Sequence, residues 1–200
     1  MFLRILGILF SPVKEWTKIA NEERSAQRLF CIYVLPFLAI TFACVIVGDA
    51  LTKWRNVDIG IAHGIVVLLF ALVTLFAIVC ITNFIAPKCG GRRDWNRSFA
   101  LATYSMTPMW LAGVLYSIPD YGALLYCIVS LYGFYILCRG VRPMQSIPKD
   151  TTVIYCILPV VIWVIASAIG VIFFRYALML FFLEMFAPQA ADTFRAGVLI

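Results

Sequence analysis

The fold of this chain is decided by residues 64–85, GIVVLLFALVTLFAIVCITNFI, a run that contains no Asp, Glu, Lys or Arg. At about 1.5 Å of helical rise per residue, a run of this length crosses a hydrocarbon core about 30 Å thick. Because lipid offers no hydrogen bonds, every backbone N–H and C=O in such a run must be paired within it. The run therefore predicts a transmembrane helix.

Four further stretches on either side of this run also lack all four charged residue types. They are Leu29–Val47, Phe99–Ile118, Tyr121–Cys138 and Val153–Phe174. The chain as a whole is 64% hydrophobic and 13% charged, whereas a typical soluble domain is about 25% charged. We therefore predict an all-α integral membrane protein, a bundle of five transmembrane helices preceded by amphipathic helices at the membrane interface.

Basic residues predict the orientation of the bundle. Twelve of the 16 Lys and Arg residues lie before the first span or in the connections after the second and fourth spans. They are Arg4, Lys14, Lys18, Arg24, Arg28, Lys88, Arg92, Arg93, Arg97, Arg139, Arg142 and Lys149. Because Lys and Arg concentrate on the cytoplasmic side, we expect the N-terminus inside and the C-terminus outside. Five crossings satisfy that arrangement.

The predicted division of the chain has three parts. Residues 1–28 form a cytoplasmic interfacial segment, residues 29–186 form the transmembrane domain, and residues 187–200 form an extracytoplasmic tail. Within the first part, Ser11 is a candidate helix cap before Pro12. Val13, Trp16 and Ile19 then fall on one face at helical spacing, which predicts anchoring in the membrane interface. Docking on a partner is the alternative.

The sequence contains no recognisable catalytic or ligand-binding motif. It lacks H-E-x-x-H, G-x-S-x-G and the phosphate-binding G-x-x-x-x-G-K-[ST], and its seven cysteines show no metal-ligand spacing. We therefore predict no enzyme activity, no catalytic residue, no cofactor and no metal site. Nucleic acid is not an expected partner either, because the basic residues flank membrane helices instead of forming a soluble domain.

The loop after the second span is the first candidate site. Its basic, glycine and aromatic residues are Lys88, Gly90, Gly91, Arg92, Arg93, Trp95 and Arg97. Basic residues near a membrane attract anionic headgroups by about 1 kcal/mol each. The loop therefore predicts binding to anionic lipid headgroups or to an acidic protein surface. A topology signal with a tryptophan anchor is the simpler alternative.

A second candidate site is a polar face inside the membrane, formed by Asn83, Thr103 and Thr107. Thr103 and Thr107 lie one helical turn apart, next to the kink that Pro108 should introduce. These groups are predicted to line a small hydrated cavity. Hydrogen bonding within the helix bundle is the alternative, since Ser and Thr often bond to their own or a neighbouring helix.

Over nearly its whole length the sequence resembles the bacterial branch of the Yip family, membrane proteins named for interaction with Ypt/Rab GTPases. The resemblance rests on short features in a fixed order: Ser11-Pro12 with Trp16 and Ile19, Ile85 to Gly91, Ala102-Thr103-Tyr104, Thr107 to Leu111, Ile118-Pro119, Tyr132 to Tyr135, Arg139-Gly140-Val141, Met144, Ile147 to Asp150, and Tyr155. It implies a five-helix membrane bundle with a cytosolic N-terminus. Eukaryotic relatives serve vesicle traffic and membrane shaping, and bind small GTPases and one another.

These observations together favour a non-enzymatic protein of a bacterial inner membrane that acts as an adaptor or organiser of membrane partners or of membrane shape. The alternative is a transporter, channel or lipid-moving protein with a pathway through the bundle. The expected partners are membrane lipids and a membrane or cytoplasmic protein. A homo-oligomer is a further expectation, because small residues spaced four apart let helices pack closely. The two pairs are Gly113 with Ser117 and Ala166 with Gly170.

Overall fold

A computed structural model describes residues 2–22, 25–51, 57–118 and 122–165, together with residues 169 and 172. The regular structure of these residues is entirely helical, as the sequence predicts. The chain divides into two compact units, Met1–Trp163 and Val164–Ile200. The contacts described below all lie within the first unit. Three parts of the predictions lie outside the described residues: the tail at 187–200, most of the fifth span beyond residue 165, and the small-residue pair Ala166 and Gly170.

The helices follow one another along the first unit with short connections. They are α1 (Phe2–Phe10), α2 (Pro12–Ala20), α3 (Ala26–Leu29), a π turn (Phe30–Val34), α4 (Leu35–Leu51), α5 (Val57–Ile85), a 3-10 turn (Ala86–Cys89), α6 (Trp95–Ser105), α7 (Thr107–Ala112), a second 3-10 turn (Gly113–Ser117) and α8 (Gly122–Gln145). A last helix, α9, begins at residue 149. These helices contain or overlap all five predicted spans.

Two helical stretches of the described chain are long and apolar enough to cross a membrane, namely Ala26–Gly48 and Gly60–Cys89. They contain the whole of the first predicted span and the whole of the second. Helices α4, α5, α8 and α9 also carry large aliphatic side chains that are about half exposed or more, including Leu35, Ile40, Leu69, Val73, Ile128, Leu131, Val153 and Ile157. Apolar surface on this scale is typical of contact with lipid. Five crossings remain a prediction.

The third predicted span, Phe99–Ile118, is divided into two short helices. Helix α6 ends at Ser105 and α7 begins at Thr107. Pro108 explains the break, because its nitrogen carries no hydrogen for the carbonyl of Tyr104 one turn earlier. The Thr107 hydroxyl donates to that carbonyl instead, at 2.7 Å. Every residue from 98 to 110 is buried, so this segment lies in the centre of the bundle.

The N-terminal helices pack against the protein, which corrects the predicted role of their apolar face. The indole of Trp16 is fully buried and its Nε1 donates to the carbonyl of Ile136 on α8 at 3.1 Å. Ile19 is also in the core, whereas Val13 is 53% exposed. Pro12 is the first residue of α2 as predicted, but the Ser11 side chain makes no capping hydrogen bond. Amphipathic spacing located the buried face of α2 without identifying what covers it.

A charged cluster fastens α1 to its neighbours. The Arg4 guanidinium donates to the Glu22 carboxylate and, at 3.4 Å, to the Tyr104 hydroxyl, and it lies 3.7 Å from the Glu15 carboxylate. The hydrogen bond with Glu22 is the main reason that the pKa of Arg4 is raised above its ordinary value. Arg4 therefore remains charged, and it connects α1 with Glu22, two residues after the end of α2, and with α6.

Candidate functional site

Two glycines shape the loop at residues 86–97, here called the double-glycine loop. Gly90 has φ +79°, in the left-handed region that glycine adopts most easily. This turn brings the Gly91 N–H to the carbonyl of Ala86 at 2.8 Å. The next N–H, that of Arg92, donates to the carbonyl of Gln145 at the end of α8, at 3.1 Å. The loop is therefore tied by its backbone to α8.

Three further hydrogen bonds hold the two ends of the double-glycine loop. The Thr151 hydroxyl, on α9, donates to the carbonyl of Cys89 at 2.9 Å. The Asp94 carboxylate accepts from the backbone N–H of Arg97 at 3.1 Å and so caps α6. Arg97 in turn donates from Nη1 to the carbonyl of Met144 at 3.3 Å. The loop thus joins α5, α6, α8 and α9 at one end of the bundle.

The seven predicted loop residues have different roles. Gly90 and Gly91 set the backbone path, and Arg97 is an anchor to α8. The side chains of Lys88, Arg92, Arg93 and Trp95 are exposed. Lys88 lies over the ring of Phe84, with its Nζ 4.5 Å from the ring centre, an arrangement that favours a cation. Arg97 is also exposed, but its guanidinium is engaged with Met144 and Asp94, so Arg92, Arg93 and Trp95 are the residues that we expect to meet a partner.

Asn83 belongs to a hydrogen-bonded chain of three buried side chains. The Gln145 amide donates to the Ser98 hydroxyl at 2.7 Å, and that hydroxyl donates to Asn83 Oδ1 at 3.4 Å. Sequence analysis missed Ser98 and Gln145, because both stand among charged residues that look like a solvated loop. This chain of contacts connects α5, α6 and α8 directly beneath the double-glycine loop.

Thr107 is occupied by a different set of contacts. Since its only hydrogen is donated to the carbonyl of Tyr104, its oxygen accepts from the Tyr33 hydroxyl on the π turn, at 2.8 Å. The hydroxyl of Thr103 is fully buried and has no hydrogen-bond partner among the described residues. No described hydrogen bond joins Asn83, Thr103 and Thr107 to one another, and a hydrated cavity lined by all three stays a prediction.

Replacing Thr107 with Val should lower the stability of the protein by about 2 kcal/mol, because it leaves the Tyr33 hydroxyl buried without this partner and removes one of the hydrogen bonds that the Tyr104 carbonyl accepts. Thermal unfolding of the detergent-solubilised protein, followed by circular dichroism, would measure the loss. The matched control is Thr17→Val, at an exposed hydroxyl that bonds only to Lys14 of its own helix. In the Thr107→Val variant, the further change Tyr33→Phe should lower the free energy of unfolding by less than Tyr33→Phe does in the unchanged protein. Equal losses would contradict the proposed bond.

Several other buried polar atoms have no hydrogen-bond partner in the described part of the chain: Thr41 Oγ1, Thr74 Oγ1, Ser105 Oγ, Trp110 Nε1 and Gln145 Oε1. Each such atom destabilises a dry protein interior by about 1–3 kcal/mol. Within the residues that the structure describes, no three or more His, Cys, Asp or Glu side chains are placed to bind a metal ion. In the described part of the chain, hydroxyl, indole and amide groups are therefore the buried side-chain atoms that lack a hydrogen-bond partner.

Comparison with known proteins identifies one family. The family model described as the Yip1 domain matches residues 6–171, which include α2 and the whole of the double-glycine loop. No curated protein and no solved structure matches the chain.

Proposed function

We propose a function from one premise: this chain belongs to the Yip1 domain family, whose members are membrane proteins. On that premise the chain acts as a non-enzymatic adaptor or organiser of membrane partners or of membrane shape. We further place it in a bacterial inner membrane, with five crossings and a cytoplasmic N-terminus. The support for this orientation is the concentration of Lys and Arg at the end of the bundle that carries the double-glycine loop.

The observation that carries this proposal is the fixed backbone of the double-glycine loop. Backbone hydrogen bonds from Gly91 and Arg92 hold it in one conformation while Arg92, Arg93 and Trp95 project from it. A surface that is already ordered loses little conformational entropy when it binds. Its two arginines suit acidic groups, and its exposed indole supplies contact area. An acidic protein surface at the membrane is the partner that this chemistry favours, with anionic headgroups as a second one.

Replacing Arg92 and Arg93 together with Gln should abolish capture of the protein partner while the protein stays folded. Arg97 is left unchanged, because it anchors the loop to α8. A photocrosslinking amino acid at position 95, followed by mass spectrometry of adducts from native membranes, measures the capture. The matched control removes the same charge elsewhere, at Lys14 and Lys149, both exposed. Undiminished protein adducts in the Arg92→Gln, Arg93→Gln variant would overturn the proposal.

A second candidate function is a transporter, channel or lipid-moving protein. The buried polar atoms without partners support it, since hydrated pathways need polar groups inside the membrane. Purified protein in sealed vesicles tests it by flux of ions, small solutes or labelled lipid. Flux no faster than in empty vesicles would overturn this candidate.

A homo-oligomer built on Gly113 is not favoured. A Cβ at Gly113 would lie 2.5 Å from Thr41 Oγ1 and 2.8 Å from Thr41 Cγ2. The missing side chain of Gly113 therefore serves close packing within the chain, between α4 and the 3-10 turn after α7. The side chain of Ser117, its predicted companion, lies outside the described residues.

A further inference from the structure

One face of α8 carries a row of exposed side chains that ends in a positive charge. The apolar and aromatic members of this row recur every three or four positions, so they share one face of the helix: Leu125, Ile128, Leu131, Tyr132 and Tyr135. Arg139 follows one turn further and is exposed as well. We propose that these six residues, here called the α8 stripe, bind one anionic phospholipid, with its phosphate on Arg139 and an acyl chain along the apolar side chains.

The guanidinium of Arg139 has donors left for a phosphate. Its Nε donates to the Tyr135 hydroxyl at 3.2 Å, and its central carbon lies 5.2 Å from the centre of the Tyr135 ring. Among the residues that the structure describes, Nη1 and Nη2 have no hydrogen-bond partner and Arg139 forms no ion pair. A guanidinium with such donors binds two phosphate oxygens side by side. The Tyr135 hydroxyl also keeps its own hydrogen for a further oxygen.

The two tyrosines of the α8 stripe hold this guanidinium in one direction. Their rings stack with centres 5.6 Å apart and 23° between the planes, and the Tyr132 hydroxyl donates to the carbonyl of Leu9 near the end of α1. The bond to Tyr135 turns the Arg139 side chain back by one helical turn, toward the apolar part of the stripe. The charged end of an exposed arginine ordinarily extends into water. Donors that are already ordered lose little conformational entropy when they bind.

The length of the α8 stripe favours a lipid over a soluble phosphate. Leu125 and Tyr135 are ten residues apart, which is about 15 Å along a helix and half the thickness of a hydrocarbon core of about 30 Å. An acyl chain of one leaflet therefore matches the apolar part of the stripe. Arg139 directly follows the predicted span that ends at Cys138, at the depth of the headgroups. This step rests on the proposed crossing of the membrane by α8, and not on the adaptor function.

The charge of the α8 stripe favours a headgroup with a net negative charge. Helix α8 contains no Asp or Glu, so its own sequence offers nothing to neutralise Arg139. Phosphatidylcholine also carries a phosphate, but its trimethylammonium group would bring a second positive charge to Arg139. Aromatic ring faces bind such ammonium groups, and the guanidinium already lies over the ring of Tyr135. A lipid such as phosphatidylglycerol brings the phosphate without that conflict.

Native mass spectrometry of the purified protein tests the proposal, by titration with phosphatidylglycerol and with phosphatidylcholine that carries the same acyl chains. We expect phosphatidylglycerol to bind at least about fivefold more tightly, the ratio that corresponds to about 1 kcal/mol for one basic residue. Arg139→Gln should remove this preference. Equal binding of the two lipids by the unchanged protein, or tighter binding of phosphatidylcholine, would overturn the proposal.

Two further variants separate the α8 stripe from the general charge of this end of the helix. Arg142→Gln removes the same charge from another exposed side chain, three positions further along α8, and should keep most of the preference. Tyr135→Phe keeps the ring but removes the hydroxyl that orients Arg139, and it should reduce the preference. All three side chains are exposed, so the core should stay intact. Equal losses in Arg139→Gln and Arg142→Gln, or an unchanged preference in Tyr135→Phe, would overturn the site.

Two controls fix the source of the phosphate and the place where it binds. Soluble glycerol phosphate should compete only weakly, and binding as tight as that of the lipid would overturn the lipid assignment. The Arg92→Gln, Arg93→Gln variant should bind phosphatidylglycerol as the unchanged protein does, and a loss of the preference there would overturn the assignment to the α8 stripe. Because this variant is also the one that tests the adaptor function, a failure of either proposal is distinguishable from a failure of the other.

Discussion

Replacing Gly140 with Leu is expected to release α1 and α2 from the bundle. A Cβ at this position of α8 would lie 2.6 Å from Cζ2 of the Trp16 ring and 2.8 Å from Cδ1 of Leu101. Both of these side chains are fully buried, so neither can move aside without disrupting the core. We expect a loss of about 3 kcal/mol, close to the loss from deleting a buried aromatic ring.

Limited trypsin digestion of the purified protein measures this release, because Lys14 and Lys18 on α2 are cleaved only when the helix unfolds locally. Gly140→Ala should give an intermediate rate, since one methyl group already meets the indole. Trp16→Ala should also speed cleavage. Both substitutions change the contact between residues 16 and 140. The double variant Gly140→Leu, Trp16→Ala should therefore lose much less stability than the sum of the losses in the two single variants. Strictly additive losses would show that Gly140 acts elsewhere.

The helices of this protein were predictable, because the signal for them is local. The uncharged run at residues 64–85 lies wholly inside α5, and Pro12 begins α2 as its fixed φ favours. Helix α8 continues to Gln145, beyond the predicted span that ends at Cys138. Arg139 continues the helix, because its guanidinium is exposed and bonds to the Tyr135 hydroxyl one turn earlier.

Contacts between distant parts of the chain were not predictable from the same signals. Hydrophobic spacing identified the face of α2 that carries Trp16, but the glycine that receives the indole lies 124 positions further along the chain. Arg97 was grouped with Arg92 and Arg93 by charge alone, and only the structure shows that Arg97 also bonds to the end of α8. Pro108 correctly indicated a break near Met106, but the hydrogen bond that bridges the break was not predicted. Thr107 stands directly before Pro108, where its hydroxyl can replace the missing N–H.

The two adjacent glycines of the double-glycine loop are expected to differ in their sensitivity to substitution. Backbone conformation alone would make Gly90 the more sensitive, whereas the packing around the two residues predicts the opposite order. Gly90 has the positive φ, so preference alone makes it the more sensitive position, yet a Cβ there would meet only Pro148, at an ordinary 3.4 Å. Replacing Gly90 with Ala should therefore cost only the strain of the left-handed conformation, about 1 kcal/mol.

Replacing Gly91 with Ala should have the larger effect. A Cβ at Gly91 would lie 2.6 Å from the carbonyl oxygen of Gln145 and 3.1 Å from that of Ala86. These are the two oxygens that accept the N–H groups of Arg92 and Gly91, and backbone atoms cannot turn away as a flexible side chain can. The added methyl group separates the loop from α8, and we expect a loss of about 3 kcal/mol from overpacking and two broken hydrogen bonds.

Thermal unfolding of the two variants, measured side by side, decides between local conformation and close packing as the reason for the paired glycines. Gly91→Ala should unfold at a clearly lower temperature than Gly90→Ala. Because the loop then no longer holds Arg92 and Arg93 in place, Gly91→Ala should also lose the protein adducts formed from position 95, while Gly90→Ala keeps most of them. The opposite order of stability would mean that the turn at Gly90, and not its contact with the end of α8, fixes the loop.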